Sequence, residues 1–539
     1  MKDIKVLDCT FRDGGYYNDW DFPRELAIAY LQAMAAARVD AIEIGFRIPP
    51  EPQFLGAFTY STDDFLASLP LPAEALIGVM VNAKDMITYP GGPSASIEAL
   101  FSARKKSPVG LVRIAAHFRE LDGCRLIASE LKERGYVVGL NMMQASLKNS
   151  AELSSAAADV ESWGLVDVLY FADSLGNMSP EAVKQVTQAL AAGWHGPMGV
   201  HTHNNKGQAS VNVTAALEAG ATWIDGTVLG MGRGAGNAQT EYLLLEMNLL
   251  QPGRYNPEAM FPLVMDSFEP LRKKYDWGPN LLYYLSGSYG IHPTYVQEML
   301  GRGRYDTHDL IGALSLLRKA GATSYSDSAL QNALQGETGD ANGSWTATGW
   351  AEGRDVLLVA SGPGAGAHRD ALLRYVKQNK PVVICLNVID RMPAEYVTAY
   401  AACNPTRLLI EADKYRSLTR PLIAPRSFAP KAVRERLSEL QLLDYGVEIR
   451  PDTFVVTANG CVLPTSIVAG YGIAVAEAAG ARRILLAGFD GYSDVSDPRR
   501  QEMVKTLRCY ATRKEALPLL AVTPTSYDVQ KSSIYAPQL

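Results

Sequence analysis

Cysteine is sparse. Only six occur in 539 residues, Cys9, Cys124, Cys385, Cys403, Cys461 and Cys509, and none has Cys-x-x-Cys spacing. That excludes a disulfide framework and a thiolate zinc site, and the six read as reduced, mostly buried thiols. A basic field is missing too: 51 Lys and Arg against 57 Asp and Glu give a net charge of -6, with no Lys/Arg run. Nucleic acid and other polyanions are therefore unexpected partners. No apolar run has the length needed to cross a bilayer, and the N-terminus enters a strand-like segment with no basic-then-apolar leader. A soluble, cytoplasmic chain is expected. Its length exceeds what one core serves, so two or three domains are expected.

From residue 3 to about 240 a short β-branched or apolar run alternates with a longer helical segment, the signature of βα units and a parallel sheet. Eight runs can be counted: Ile4 to Thr10, Val39 to Phe46, Leu76 to Asn82, Gly110 to His117, Val137 to Met143, Val166 to Asp173, Gly196 to His203 and Trp223 to Leu229. Eight units over this length suit a closed (β/α)8 barrel, with a doubly wound sheet as the alternative. Polar residues gather at the C-terminal ends of the runs, where a barrel has its mouth: Asp13, Glu43, His117, Gln144, Asp173, His201 and His203. The barrel is placed at 1–245, a helical extension or cap at 246–335, and a Gly- and Thr-rich linker at 336–353. A second βα series follows at 354–539. Strands are expected at 354–360, 381–388, 407–411, 453–458 and 483–489, with a glycine turn at 361–366, as in an open Rossmann-like α/β domain.

Val200-His201-Thr202-His203-Asn204-Asn205 places two imidazoles two residues apart on a strand, hence on one face. Such a pair is either a satisfied core feature or a metal site. Asp13, in Thr10-Phe11-Arg12-Asp13-Gly14-Gly15 at the end of the first run, favours the metal. One carboxylate oxygen and two imidazole nitrogens leave coordination positions open for a chelating substrate, as catalysis requires. Gly232-Arg233-Gly234-Ala235-Gly236-Asn237 lets the backbone pass close by, and Asn237 is either an amide ligand or the cap of a glycine turn. Arg12 either stabilises a developing oxyanion or pairs with Asp13 or Glu43. Glu43 could orient Arg12, and Arg47 could meet a substrate carboxylate or phosphate unless it is an ordinary loop arginine. Gln144, Asp173 and Ser174 are the remaining substrate-binding candidates.

Residues 4 to about 245 resemble the pyruvate-binding, divalent-metal aldolase and acyltransferase family that includes isopropylmalate synthase and hydroxymethylglutaryl-CoA (HMG-CoA) lyase, and are most similar to its 4-hydroxy-2-oxovalerate aldolase branch. The likeness is carried by Thr10 to Gly14, Arg113 to His117, Gly139 to Met143, Ala172 to Gly176, His201 to Asn205 and Gly230 to Ala238. It implies a TIM barrel, a divalent metal (Mn, Mg, Co or Zn) on Asp13, His201 and His203, with Asn237 reaching it in the synthase branch, and Arg12 stabilising a pyruvate enolate. The implied reaction joins or parts a 2-oxo acid and an aldehyde. Where the aldolase branch has a catalytic histidine after the Arg-Asp pair, this chain has Tyr16 or Tyr17. A tyrosine near its usual pKa of about 10 is a poor base at pH 7. His117 and His292 are the other candidates for the base, each with a structural role as the alternative.

The second domain resembles sialyltransferase-like glycosyltransferases in Val359 to Gly364, Thr457 to Gly460, Gly480 to Tyr492 and Thr523 to Tyr527. That resemblance implies a nucleotide sugar near Gly362, Gly364, Asn459 and Asp490, against a packing domain with no ligand. The expected function is thus a class II aldolase-type lyase or synthase, with a role in surface polysaccharide biosynthesis and a homo-oligomeric state. Two alternatives are an acyl-CoA-dependent Claisen synthase on the same barrel and a nucleotide-sugar transferase with a degenerate barrel.

Overall fold

Each of the eight apolar runs forms a strand, and the strands close on themselves. In the computed structural model, β1 (Lys5–Asp8), β2 (Ala41–Phe46), β3 (Leu76–Asn82), β4 (Leu111–Ala116), β5 (Val137–Met142), β6 (Val168–Asp173), β7 (Met198–Thr202) and β8 (Trp223–Gly226) pair in parallel, and β8 returns to β1. The structure describes residues 3–535 except 302–304, 306, 336–339, 388–389, 405–406, 409–410, 427–440, 493 and 495–496. β2 and β4 to β8 are buried almost throughout, as strands covered on the outside by helices and packed against one another inside must be. Helices such as Arg24–Ala37, Leu121–Glu133 and Pro180–Ala191 turn their apolar stripe inward, through Leu31, Met34, Ile127, Leu131, Val183 and Leu190.

The chain divides into two compact units, 1–297 with 321–324, and 298–320 with 325–539. The division falls inside the expected helical extension 246–335, which is helical but shared between the units. The expected linker is corrected as well. Residues 336–339 lie outside the described residues, but 340–353 belong to the second unit's fold. Gly343 and Ala347 donate backbone hydrogen bonds to Asn459 and Ala458, and Ala347 and Ala351 are fully buried.

The second unit is an open parallel sheet, with the order β13 (Leu442–Leu443), β12 (Leu422–Ile423), β11 (Ala399–Ala401), β10 (Val382–Leu386), β9 (Asp355–Val359), β17 (Arg483–Ala487), β18 (Leu519–Ala521), β19 (Gln530–Lys531). A smaller sheet joins β14 (Gly446–Ile449), β16 (Gly460–Leu463) and β15 (Val455–Thr457). β9 buries both faces, Val356 and Leu358 in one apolar cluster and Leu357 and Val359 in the other. The strand expected at 407–411 is not formed: Arg407 and Leu408 are helical, residues 409–410 lie outside the described residues, and Ala399–Ala401 takes the place beside β10.

Asp355 opens β9 and receives hydrogen bonds from Tyr375, Arg482 and Arg483. Burial alone would raise its pKa; the bonds from Arg483, Arg482 and Tyr375 outweigh that and hold it well below the usual carboxylate range. A carboxyl depressed in the folded state adds stability that is fully present above its unfolded pKa, about 3.9, and is lost progressively as pH falls from there through the lower folded pKa. Asp355→Asn is therefore expected to lower the urea midpoint at pH 7, and by progressively less as pH falls from about 4 toward 2. Equal losses at pH 7 and near pH 2 would contradict this.

Candidate functional site

The barrel mouth is built from strand ends. Immediately after β1, the buried turn Thr10–Gly14 carries Arg12 and Asp13. Asp8 starts it by accepting Thr10 N (2.9 Å), and is itself held by Tyr30 and Thr240. On β7, His201 and His203 face the same way, their rings 4.9 Å apart and nearly perpendicular. The register pairing Gly199 with Trp223 and Val200 with Ile224 brings His201 beside Asp225 of β8. A backbone bridge between His203 and Asn237 carries the glycine loop to the same place, and Asn237 Nδ2 donates to Asp13 Oδ2. Gly232 is needed there, since a Cβ would sit 2.3 Å from Asn237 Nδ2 and 2.6 Å from Asp13 Oδ2.

The hydrogen bonds fix the imidazole tautomers. His203 Nδ1 lies 2.9 Å from the Asp173 carbonyl, which only accepts, so Nδ1 carries the hydrogen and Nε2 is bare. His201 Nδ1 lies 3.0 Å from Asp225 Oδ2, again an acceptor, and its buried Nε2 has no partner. One ligand atom from each of Asp13, His201 and His203 lies within 4.8 Å of the others. Burial, with His201 adding to it, lowers the His203 pKa to about 3, so the ring is neutral at pH 7 and free to ligate. Asp13 would be raised by burial, but Arg12, then His201, His203 and Asn237, hold it well below the usual range.

Behind these lies a buried chain of ion pairs. Arg12 donates to Asp13 (2.6 Å) and Glu43 (2.7 Å); Arg113 donates to Glu43 (2.5 and 2.8 Å) and Asp225 (2.8 Å). Two guanidiniums thus face three carboxylates, an excess of one negative charge in a buried cluster. Burial opposes ionisation of both Glu43 and Asp225, but Arg113 and Arg12 keep the Glu43 pKa low, and Arg113 with His201 keeps that of Asp225 low. That surplus, two bare imidazole nitrogens and the partnerless Asn237 Oδ1 fit a divalent cation. The second cluster, Cys9, His201 and Asp225, fits less well, because burial raises the Cys9 pKa and the thiol donates to Gly226 O.

The candidate bases divide. Burial pushes the Tyr16 phenol up despite Arg233 beside it, so Tyr16 is protonated at pH 7. Tyr17 donates to Gly234 O and is raised further by burial. His117, half-buried at the end of β4, is lowered by burial. His292 is lowered to about 2 by burial and then by Arg233, His203 and His117, and its buried Nδ1 has no partner.

Several expected substrate contacts are instead committed to the framework. Arg47 is buried, with its guanidinium on Ser61 O and Asp63, because it ties down the loop after β2. Glu43 orients Arg12 and Arg113 and has no free oxygen. Gln144 donates to Thr323 O, its backbone N–H binds Ser174 Oγ, and Asp173 caps Asn177 and Met178 while burial raises it to about 7. In the second unit Gly362 and Gly364 make room for Asp490, which accepts Gly364 N at 2.8 Å; a Cβ at Gly362 would lie 2.2 Å from its carboxylate. A carboxylate therefore already occupies the helix start where a nucleotide phosphate was expected. Asn459 lies in the β15–β16 turn of the smaller sheet, bonded to Gly343 O. Arg113, Asp225 and Arg233 were not singled out from sequence. The available signal for the first two was a charge inside an otherwise apolar strand.

The barrel region is similar to known proteins. The HMGL-like family model matches residues 119–262. The 4-hydroxy-2-oxovalerate aldolase of Carboxydothermus hydrogenoformans is 34% identical over 247 residues, 45% of this chain and 70% of that protein. An aldolase of the same name from Rhodococcus opacus is 32% identical over 266 residues, 49% of this chain and 73% of its own. Among solved structures, the N-terminal domain of a candidate aldolase from Bacteroides vulgatus shares 32% identity, with a TM-score of 0.49, covering 55% of this chain and 96% of that one. No helix among the described residues is long and apolar enough to cross a membrane.

Proposed function

Because the chain belongs to the 4-hydroxy-2-oxovalerate aldolase family, within the HMGL-like group, we propose that its barrel makes or breaks the C3–C4 bond of a 4-hydroxy-2-oxo acid, with pyruvate and an aldehyde as the other side of the reaction. The observation that carries this is the convergence of one ligand atom each from Asp13, His201 and His203 within 4.8 Å, beside the partnerless Arg12 Nη2. A divalent cation held by Asp13, His201 and His203, with Asn237 Oδ1 beside them, would act as a Lewis acid on the 2-oxo group. In cleavage the bonding pair of C3–C4 passes to C3 and on to the keto oxygen, and the 4-hydroxyl loses its proton as C4 becomes the aldehyde carbon. Arg12 Nη2, fixed by Glu43 and Asp13, donates to the oxygen on which charge gathers. The buried, partnerless Nδ1 of His292 supports it as a hydrogen-bond partner that orients the 4-hydroxyl, since a ring with its pKa lowered to about 2 does not take up that proton at pH 7. Tyr16, protonated at pH 7, suits a donor rather than a base.

Exchange of pyruvate C3 hydrogens for deuterium, followed by loss of the methyl proton signal, tests the half-reaction without knowledge of the aldehyde. Exchange is expected with Mn²⁺, to disappear after dialysis against a chelator, and to return when Mn²⁺ is restored. Unchanged exchange in the stripped protein would overturn the proposal.

A further inference from the structure

One cation at the mouth takes no part in the ion-pair chain. The pairs join Arg12 with Asp13 and Glu43, and Arg113 with Glu43 and Asp225; among the described residues, Arg233 pairs with no carboxylate. Its Nε is buried and without a hydrogen-bond partner, and its guanidinium stands 5.7 Å from the centre of the Tyr16 ring. The loop that carries it is held from both sides: Tyr17 donates to Gly234 O, and Gly234 N donates to Gln297 Oε1, whose amide in turn reaches Tyr16 O. A half-buried guanidinium with no carboxylate partner among the described residues lacks a paired counter-charge, and its planar fork of donors matches a carboxylate or a phosphate.

The anion it awaits is not the 2-oxo acid end of the substrate. That end belongs at Asp13, His201, His203 and Arg12, whose donors already meet it, and Arg233 is reached from Arg12 by a chain of ring contacts. Arg12 lies 6.0 Å from the Phe46 ring, Phe46 lies 6.4 Å from Tyr16, and Tyr16 comes next to Arg233. A substrate reaching from one guanidinium to the other carries a second anionic group beyond its reacting carbons. We infer that Arg233 anchors a carboxylate or phosphate on the aldehyde partner, so that the second substrate is an anionic aldehyde. This rests on the aldolase reading and adds the substrate class.

The test uses the full chain with Mn²⁺ and pyruvate, and two matched pairs of aldehydes: glyceraldehyde 3-phosphate against glyceraldehyde, and succinic semialdehyde against butanal. The native protein is expected to prefer the charged member of at least one pair by about ten- to hundredfold in kcat/KM, the range of a hydrogen bond to a charged group, and the pair preferred tells phosphate from carboxylate. Arg233→Gln is expected to bring that ratio close to one, mainly through KM, and Arg233→Lys to retain part of it. Because each ratio is internal to one variant, partial loss of folded protein does not disturb it. Pyruvate exchange in the native protein without a preference for charge, or a preference unchanged in Arg233→Gln, overturns this inference alone. Absence of exchange in the native protein overturns the aldolase reading, and this inference with it.

Discussion

Replacing His201 or His203 with Ala is expected to abolish metal-dependent pyruvate exchange and to weaken Mn²⁺ binding by more than about a hundredfold, beyond the 10- to 100-fold typical of losing an outer partner. Each imidazole has its Nδ1 hydrogen engaged, by Asp225 in one case and by the Asp173 carbonyl in the other, so Nε2 is the atom left to ligate. Removing either ring leaves two of the three convergent atoms. Binding can be followed calorimetrically or by the Mn²⁺ paramagnetic signal, independently of turnover, and circular dichroism checks that the barrel still folds. Undiminished Mn²⁺ affinity in both variants would show that the pair is a core feature.

Arg113→Met is expected to destabilise the barrel by about 3–5 kcal/mol, the usual consequence of removing one partner from a buried ion pair. Arg113 is fully buried and gives two hydrogen bonds to Glu43 and one to Asp225, with its guanidinium 4.5 Å from the Tyr170 ring. Without it Glu43 keeps only Arg12, Asp225 keeps only His201, and the surplus of buried negative charge grows from one to two. Arg113→Lys retains the charge but not the fork that spans two carboxylates, so an intermediate loss is expected. Chemical denaturation reads the effect. An unfolding free energy within about 0.5 kcal/mol of the native protein in Arg113→Met would mean that the network contributes nothing net. The same variant is also expected to lower kcat, because Glu43 positions Arg12.

The eight barrel strands could be read from residue pattern because strands buried on both sides appear as short apolar runs, and each run forms a strand. The pairing of His201 with His203 was equally legible, since alternation along a strand is local geometry. Asp225 and Arg113 were not, because their roles depend on the β7–β8 register and on what faces them across the barrel interior. Arg47 shows the converse: a promising position beyond a strand end, whose donors go to Ser61 and Asp63. The turn at Gly362 and Gly364 was also visible as a close approach, but only the fold shows that the approaching group is the chain's own Asp490.

By itself, then, the sequence determined the succession of the eight N-terminal strands and the face shared by His201 and His203, because these follow from local periodicity, while the closure of those strands into a barrel was one of two readings it left open. Tertiary structure alone decided which charges are satisfied. Arg12, Arg113 and Arg47 find carboxylates or carbonyls brought from distant parts of the chain, whereas Arg233 finds none among the described residues. Charge satisfaction is a property of neighbours in space, and a linear chain does not specify it position by position.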